Sequence, residues 1–85
     1  MPAVKLYANL RKLAGEKELS IRGTTVEAVV NKLIEQCPSL DKVVLENGKL
    51  CPHVVVTVGG LNASDLNIQV TEKDVISIFP PIAGG

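Results

Sequence analysis

Aromatic side chains are nearly missing from this chain: 85 residues hold one Tyr, one Phe and no Trp. Any core must therefore be built from aliphatic side chains, which make up most of the 46% hydrophobic content. Cysteine is scarce as well. Cys37 and Cys51 are too few for a disulfide framework, and their separation fits no common zinc or redox spacing. They read as two ordinary, mostly buried thiols. The single histidine, His53, has no Cys or Ser at nucleophile spacing beside it, so no nucleophile–base pair stands out.

An excess of charge is missing too. Nine basic residues balance nine acidic ones, and Glu16 and Glu18 interrupt the basic residues Arg11, Lys12 and Lys17. That balance gives no case for a nucleic-acid or membrane partner. No apolar run approaches the roughly 20 residues of a membrane span, and the N-terminus lacks the apolar stretch of a signal peptide. A cytoplasmic protein is expected. The length fits one small domain.

What is present is strong patterning. "AVKLYA" sets Val4, Leu6 and Ala8 against Lys5, Tyr7 and Asn9, a period-two strand with one buried face. "NLRKLAG" reads as a short turn closed by Gly15. "KELSIRG" alternates again with Leu19 and Ile21 inward, so the two strands predict an N-terminal hairpin. Val26, Val29, Val30, Leu33, Ile34 and Cys37 form one helical stripe. Thr24 and Glu27 have capping-box spacing before it, and Pro38 stops it. "SLDKVVLENG" reads as a short helical turn ending at Asn47-Gly48. "HVVVTVGG" is a strand with a hairpin at Gly59-Gly60. "LNASDLNIQV" is a loop with a short strand, and "TEKD" is a polar turn before the last strand, "VISIF". The fold class is α+β, a mixed sheet packed against one main helix, with the first and last strands paired at its centre.

The chain ends in Pro80-Pro81-Ile82-Ala83-Gly84-Gly85. Proline cannot donate to a sheet ladder, so pairing should fade after Phe79 and the rest should leave the sheet. This divides the chain into a domain over 1–80 and an extended tail over 81–85. Two prolines stiffen the segment, and two glycines make its tip narrow. The reactive group at that tip is the α-carboxylate of Gly85. A carboxylate is a poor electrophile, and activation as a mixed anhydride with AMP would let a sulfur or nitrogen nucleophile attack it. The chain has no G-x-x-x-x-G-K-[ST] loop to hold ATP, and its paired carboxylates, Glu16/Glu18 and Glu72/Asp74, lie in polar turns. It reads as a substrate or binding module, not as an enzyme on its own. No metal site and no cofactor bound by this chain are expected.

Three stretches carry a resemblance. "LYANLRKLAG", "TTVEAVVNKLIEQCP" and above all "DVISIFPPIAGG" are similar to the opening strand and turn, the helix, and the closing strand and tail of the ubiquitin-like sulfur carriers. Within that MoaD/ThiS family the chain looks most like the small subunit of molybdopterin synthase. The resemblance spans nearly the whole chain and implies the β-grasp (ubiquitin-like) fold. It implies that a separate adenylating enzyme of the MoeB/ThiF type, using ATP and magnesium, activates Gly85. A cysteine desulfurase or rhodanese-type donor then supplies sulfur to give a thiocarboxylate, and the large subunit of molybdopterin synthase receives it for molybdenum cofactor biosynthesis. Gly84 would be the spacer, and Phe79, Pro80, Pro81, Ile82 and Ala83 the partner-binding segment. Two turns depart from the family's pattern: Glu72-Lys73-Asp74 and Val58-Gly59-Gly60-Leu61-Asn62.

Two other functions fit the same tail. One is a ubiquitin-like protein modifier joined to lysines through Gly85. The other is a sulfur carrier for cysteine or thiamine synthesis. Whether Phe79 is exposed or belongs to the core decides how it acts, and the sequence leaves both open.

Overall fold

A computed structural model describes residues 1–63 and 65–80. In chain order the elements are β1 (Ala3–Leu6), α1 (Asn9–Ala14), β2 (Glu18–Ser20), α2 (Val26–Gln36), a 3-10 turn (Pro38–Leu40), β3 (Leu45–Glu46), β4 (Lys49–Leu50), β5 (Val55–Val58), β6 (Leu61–Asn62) and β7 (Val75–Phe79). Five of the strands form one mixed sheet in the order β2-β1-β7-β5-β6, and β3 and β4 form a separate small hairpin. β1 and β7 run parallel at the centre, with Ala3 opposite Val75 and Leu6 opposite Ile78. β2 flanks β1 and β5 flanks β7, both antiparallel.

Alternation decides what each strand buries. Val4, Leu6, Ile76, Ile78 and Val56 point to the core and are at most 1% exposed. Their neighbours Lys5, Ser77 and Val55 stay partly or fully open on the other face. The helix α2 supplies Val26, Val29, Val30 and Leu33, all fully buried, and Leu10, Ile21, Leu40 and Val44 complete the interior. No polar or charged residue is buried among the described residues. The core is thus aliphatic, as the composition requires, and its stability rests on removing apolar surface from water.

The N-terminus of α2 is capped twice. Thr25, in extended conformation, accepts a hydrogen bond through its side chain from the Ala28 N–H at 3.1 Å. The N–H groups of Val26 and Glu27 have no partner inside the helix. They donate instead to the carbonyls of Ile68 and Leu66, both at 2.9 Å. The segment after β6 therefore crosses the helix end and supplies its missing acceptors, and a bridge between Thr25 and Gln69 closes the crossing. The expected capping box is corrected here: the cap is one residue later than Thr24, and the residue three positions on is Ala28. Thr24 uses its carbonyl to accept from the Val70 N–H.

Two further expectations are corrected. "NLRKLAG" is a helix of six residues, ended by Gly15 in the left-handed conformation, whose N–H donates to the Arg11 carbonyl. "SLDKVVLENG" is not one helical turn. It begins in a 3-10 turn and ends in the β3–β4 hairpin, where Asn47 and Gly48 both have positive φ, as a two-residue hairpin loop needs. Four expectations hold: the N-terminal β1–β2 pair, a helix ending before Pro38, the Gly59-Gly60 hairpin, and central pairing of the first and last strands.

Gly23 shows how closely the β2–α2 connection lies against the helix. A Cβ at this position would fall 2.6 Å from Val29 Cγ2 and 2.9 Å from the Val29 backbone nitrogen. Replacement by alanine forces the connection away from the first turn of α2. Gly23→Ala is expected to lower stability by about 1–3 kcal/mol, the usual cost of overpacking. A fall in the urea midpoint at unchanged slope checks it, and an unchanged midpoint would show that the connection yields freely.

Candidate functional site

β1 and β7 run parallel and in register, so Tyr7, which follows β1, and Phe79, which ends β7, come to the same end of the sheet. Both project from its outer face, because the core-facing positions are Val4, Leu6, Ile76 and Ile78. The two rings stack, with centroids 4.4 Å apart and planes inclined by 17°. These are the chain's only aromatic residues. Val55 lies opposite Phe79 on β5 and is 41% exposed, extending the apolar row across a third strand.

Phe79 is therefore neither core nor free. It is half-buried, with one face stacked on Tyr7. Pro80 follows, also half-buried and outside the strand, so the ladder ends where proline removes the donor. Pro81, Ile82, Ala83, Gly84 and Gly85 lie outside the described residues.

Tyr7 escaped the reading of the sequence, although a signal was present. In "AVKLYA" Tyr7 occupies the position opposite to the core residues, and in "VISIF" Phe79 does the same. Once β1 and β7 are paired in parallel, the only two aromatics must be neighbours. The turn after Tyr7 carries strain. Ala8 has φ 53° and ψ −131°, a backbone geometry that suits glycine, and it leads directly into α1. Such a conformation costs on the order of 1–3 kcal/mol and persists only where its surroundings enforce it.

The cysteines stand apart from this surface. Cys37 is buried at the end of α2, and Cys51 is half-buried beyond β4. The Cys51 thiol donates to the Lys42 carbonyl at 3.4 Å. Burial, and then the nearby Glu46 carboxylate, push this thiol above its ordinary pKa. It is held as a thiol at neutral pH, which makes it a weak nucleophile. Among the described residues no three His, Cys, Asp or Glu side chains converge as a metal cage, and no helix is long and apolar enough to cross a membrane.

The fold and the terminal strand define a class: a small ubiquitin-like domain, with a mixed sheet over one main helix and an apolar outer face where the last strand ends. Residues 4–85 match the ThiS family, and the chain belongs to it. It is 31% identical to small archaeal modifier protein 3 of Haloferax volcanii, over 96% of each chain. It is 32% identical to the molybdopterin synthase sulfur carrier subunit of Arabidopsis thaliana, over 96% of this chain and 80% of that one. The solution structure of small archaeal modifier protein 1 from Methanosarcina acetivorans superposes with a TM-score of 0.88 at 34% identity, covering 98% of this chain and 94% of the other. The β-grasp fold expected from the sequence is the fold observed.

Two expected outcomes follow from this geometry. A double-mutant cycle with Tyr7→Leu and Phe79→Leu should return a coupling of about 0.5–1.5 kcal/mol, the usual strength of an aromatic pair. Additive losses in urea unfolding would mean that the stack contributes only its buried area. Cys51 should react slowly with iodoacetamide at pH 7, its rate climbing only in alkaline solution. The folded state keeps the Cys51 proton to higher pH than the unfolded chain does. Its contribution to stability is therefore complete below the unfolded thiol's pKa and is lost as pH rises through the folded value. A rate that has already levelled off at neutral pH would contradict this.

Proposed function

We propose that this chain carries sulfur on the C-terminal carboxylate of Gly85 and donates it as the small subunit of a molybdopterin synthase. The observation that carries the reading is the Phe79-Pro80-Pro81-Ile82-Ala83-Gly84-Gly85 sequence, launched from the central strand beside the Tyr7 ring. Ile82, Ala83 and the spacer Gly84 leave the segment narrow enough to thread into a partner's active site, while Phe79, Pro80 and Pro81 meet the partner's surface. Residues 1–80 form the body and 81–85 the tail.

Loading needs two substitutions, the first at phosphorus and the second at the Gly85 carbonyl carbon. In the first, a Gly85 carboxylate oxygen attacks the α-phosphate of magnesium-bound ATP on an adenylating enzyme of the MoeB/ThiF type. Pyrophosphate leaves and an acyl-adenylate remains. In the second, a persulfide sulfur from a cysteine desulfurase or rhodanese-type donor attacks the acyl carbon and AMP departs. A thiol reductant then cleaves the sulfur–sulfur bond, leaving a thiocarboxylate. Water attack on the loaded carbon in the large subunit, once sulfur has passed to the pterin, restores the carboxylate. ATP and magnesium belong to the activating enzyme in this scheme, and the work takes place in the cytoplasm.

Support for this reading comes from the family match and from the Arabidopsis sulfur carrier subunit. The similarity to archaeal modifier proteins favours a second reading, in which the same acyl-adenylate is attacked by lysine amines of other proteins. Transfer of sulfur to cysteine or thiamine synthesis is a third use of the same loaded tail.

Incubation with the activating enzyme, ATP, magnesium and a persulfide donor should add about 16 Da, placed on Gly85 by fragmentation rather than on Met1 or a cysteine. Deletion of Gly85 should abolish that gain with cooperative unfolding unchanged. Lysine-linked conjugates without a thiocarboxylate would transfer the conclusion to the modifier. No modification of Gly85 under any of these conditions would overturn both.

A further inference from the structure

Next to the aromatic stack, on the side away from β5, lies an open groove of about 330 Å³. It is lined by Lys5, Leu6, Tyr7, Arg11, Lys17 and Glu18. Three of these six side chains are cationic and one is anionic, in a chain whose net charge is zero. The cations arrive from three places: Lys5 from β1, Arg11 from α1, and Lys17 from the connection before β2. All three are exposed. Lys5 faces Glu18 across the β1–β2 ladder, whereas Arg11 and Lys17 make no ion pair among the described residues.

The groove shares Tyr7 with the stack. A protein that grips Phe79 and Pro80 must cover the Tyr7 ring, and its surface then extends over Arg11 and Lys5. We propose that the groove is the electrostatic half of the docking surface, and that the enzyme activating the tail seats an acidic segment in it. This rests on the carrier reading above and adds the chemistry of the partner. Charge complementarity selects the occupant: carboxylates from the partner meet Lys5, Arg11 and Lys17. Glu18 sets the polarity along the groove, with its far wall accepting a basic or hydrogen-bonding group. A polyphosphate or nucleic acid suits it less well, since Glu18 would face a continuous run of negative charge. Solvent-exposed pairs at the rim of an interface act mainly on the association rate, which makes the docking sensitive to salt.

The test uses the full chain and the purified adenylating enzyme from the same source. Association is followed by stopped-flow fluorescence between 50 and 500 mM NaCl. The wild-type rate should fall steeply with salt. At low salt, Arg11→Glu and Lys17→Glu should each slow association by about tenfold and flatten the salt dependence, while Glu18→Lys should speed it. All three side chains are exposed, and thermal unfolding of each variant checks that it folds. Rates that ignore all three reversals would overturn the groove while leaving the carrier reading intact, provided the wild-type chain is still adenylated at Gly85. Wild-type chain that is never adenylated removes the carrier reading itself. Amide shifts at Lys5, Arg11 and Lys17 on adding pyrophosphate or AMP alone, with association rates unaffected by charge reversal, would make the groove a small-anion site and overturn the proposal.

Discussion

Everything at the functional end of this molecule depends on the parallel pairing of β1 with β7. The first strand and the last are joined by nearly the whole chain, so their contact is the most demanding closure in the fold. It is also the one that makes the rest possible. It places Val4 and Leu6 beside Ile76 and Ile78 to form the floor on which α2 packs. On the opposite face the same register brings Tyr7 to Phe79. One ladder therefore organises both the interior and the surface from which the tail departs.

The two faces of that sheet have separate duties. The inner face is wholly aliphatic and closed, with no buried polar group among the described residues to specify or strain it. The helix it packs against is completed from outside, since the carbonyls of Leu66 and Ile68 take up N–H groups that the helix cannot satisfy. The outer face carries the aromatic pair, the exposed Val55 and the cationic groove, none of which the interior needs. Substitutions on the outer face can therefore be read in loading and association without losing the fold. That separation suits the proposed carrier, whose outer face would meet its partners.

Much of this was legible in the sequence because the signals were local. Period-two strands, a period-3.6 helix, a proline stop and a Gly-Gly hairpin each follow from a few neighbouring residues. What escaped depended on tertiary context. The helical stretch at Asn9–Ala14 is too short to declare itself by periodicity, and it is held by Gly15 and by Ser39 Oγ donating to the Leu13 carbonyl. The cap at Thr25 rather than Thr24 follows from the crossing segment, which occupies the Thr24 carbonyl through Val70. The β3–β4 hairpin was signalled by Asn47-Gly48, yet its strands are only two residues each, too short for alternation to appear. At the site, Phe79 and Pro80 were named through the family resemblance, and the stacking of Phe79 on Tyr7 required the pairing of strands about 70 residues apart. The cationic groove likewise gathers residues that look neutralised by Glu16 and Glu18 when read in line.

The scarcity of aromatics gives the stack its meaning. A chain that needed aromatic rings for stability would bury them, where each contributes most. This one fills its core with Val, Leu and Ile and spends both rings on the surface, at the point where the last strand stops. In the proposed carrier reading the base of the C-terminal segment must be fixed, because motion there would sweep its tip through a volume far larger than a catalytic cleft. Stacking on Tyr7 restrains Phe79 at the last rung of the ladder, where it also lies opposite Val55, and the strained Ala8 turn follows Tyr7 directly. On the carrier reading proposed above, part of the ordering cost of presenting the last residues is thereby met during folding, leaving less to be met on binding.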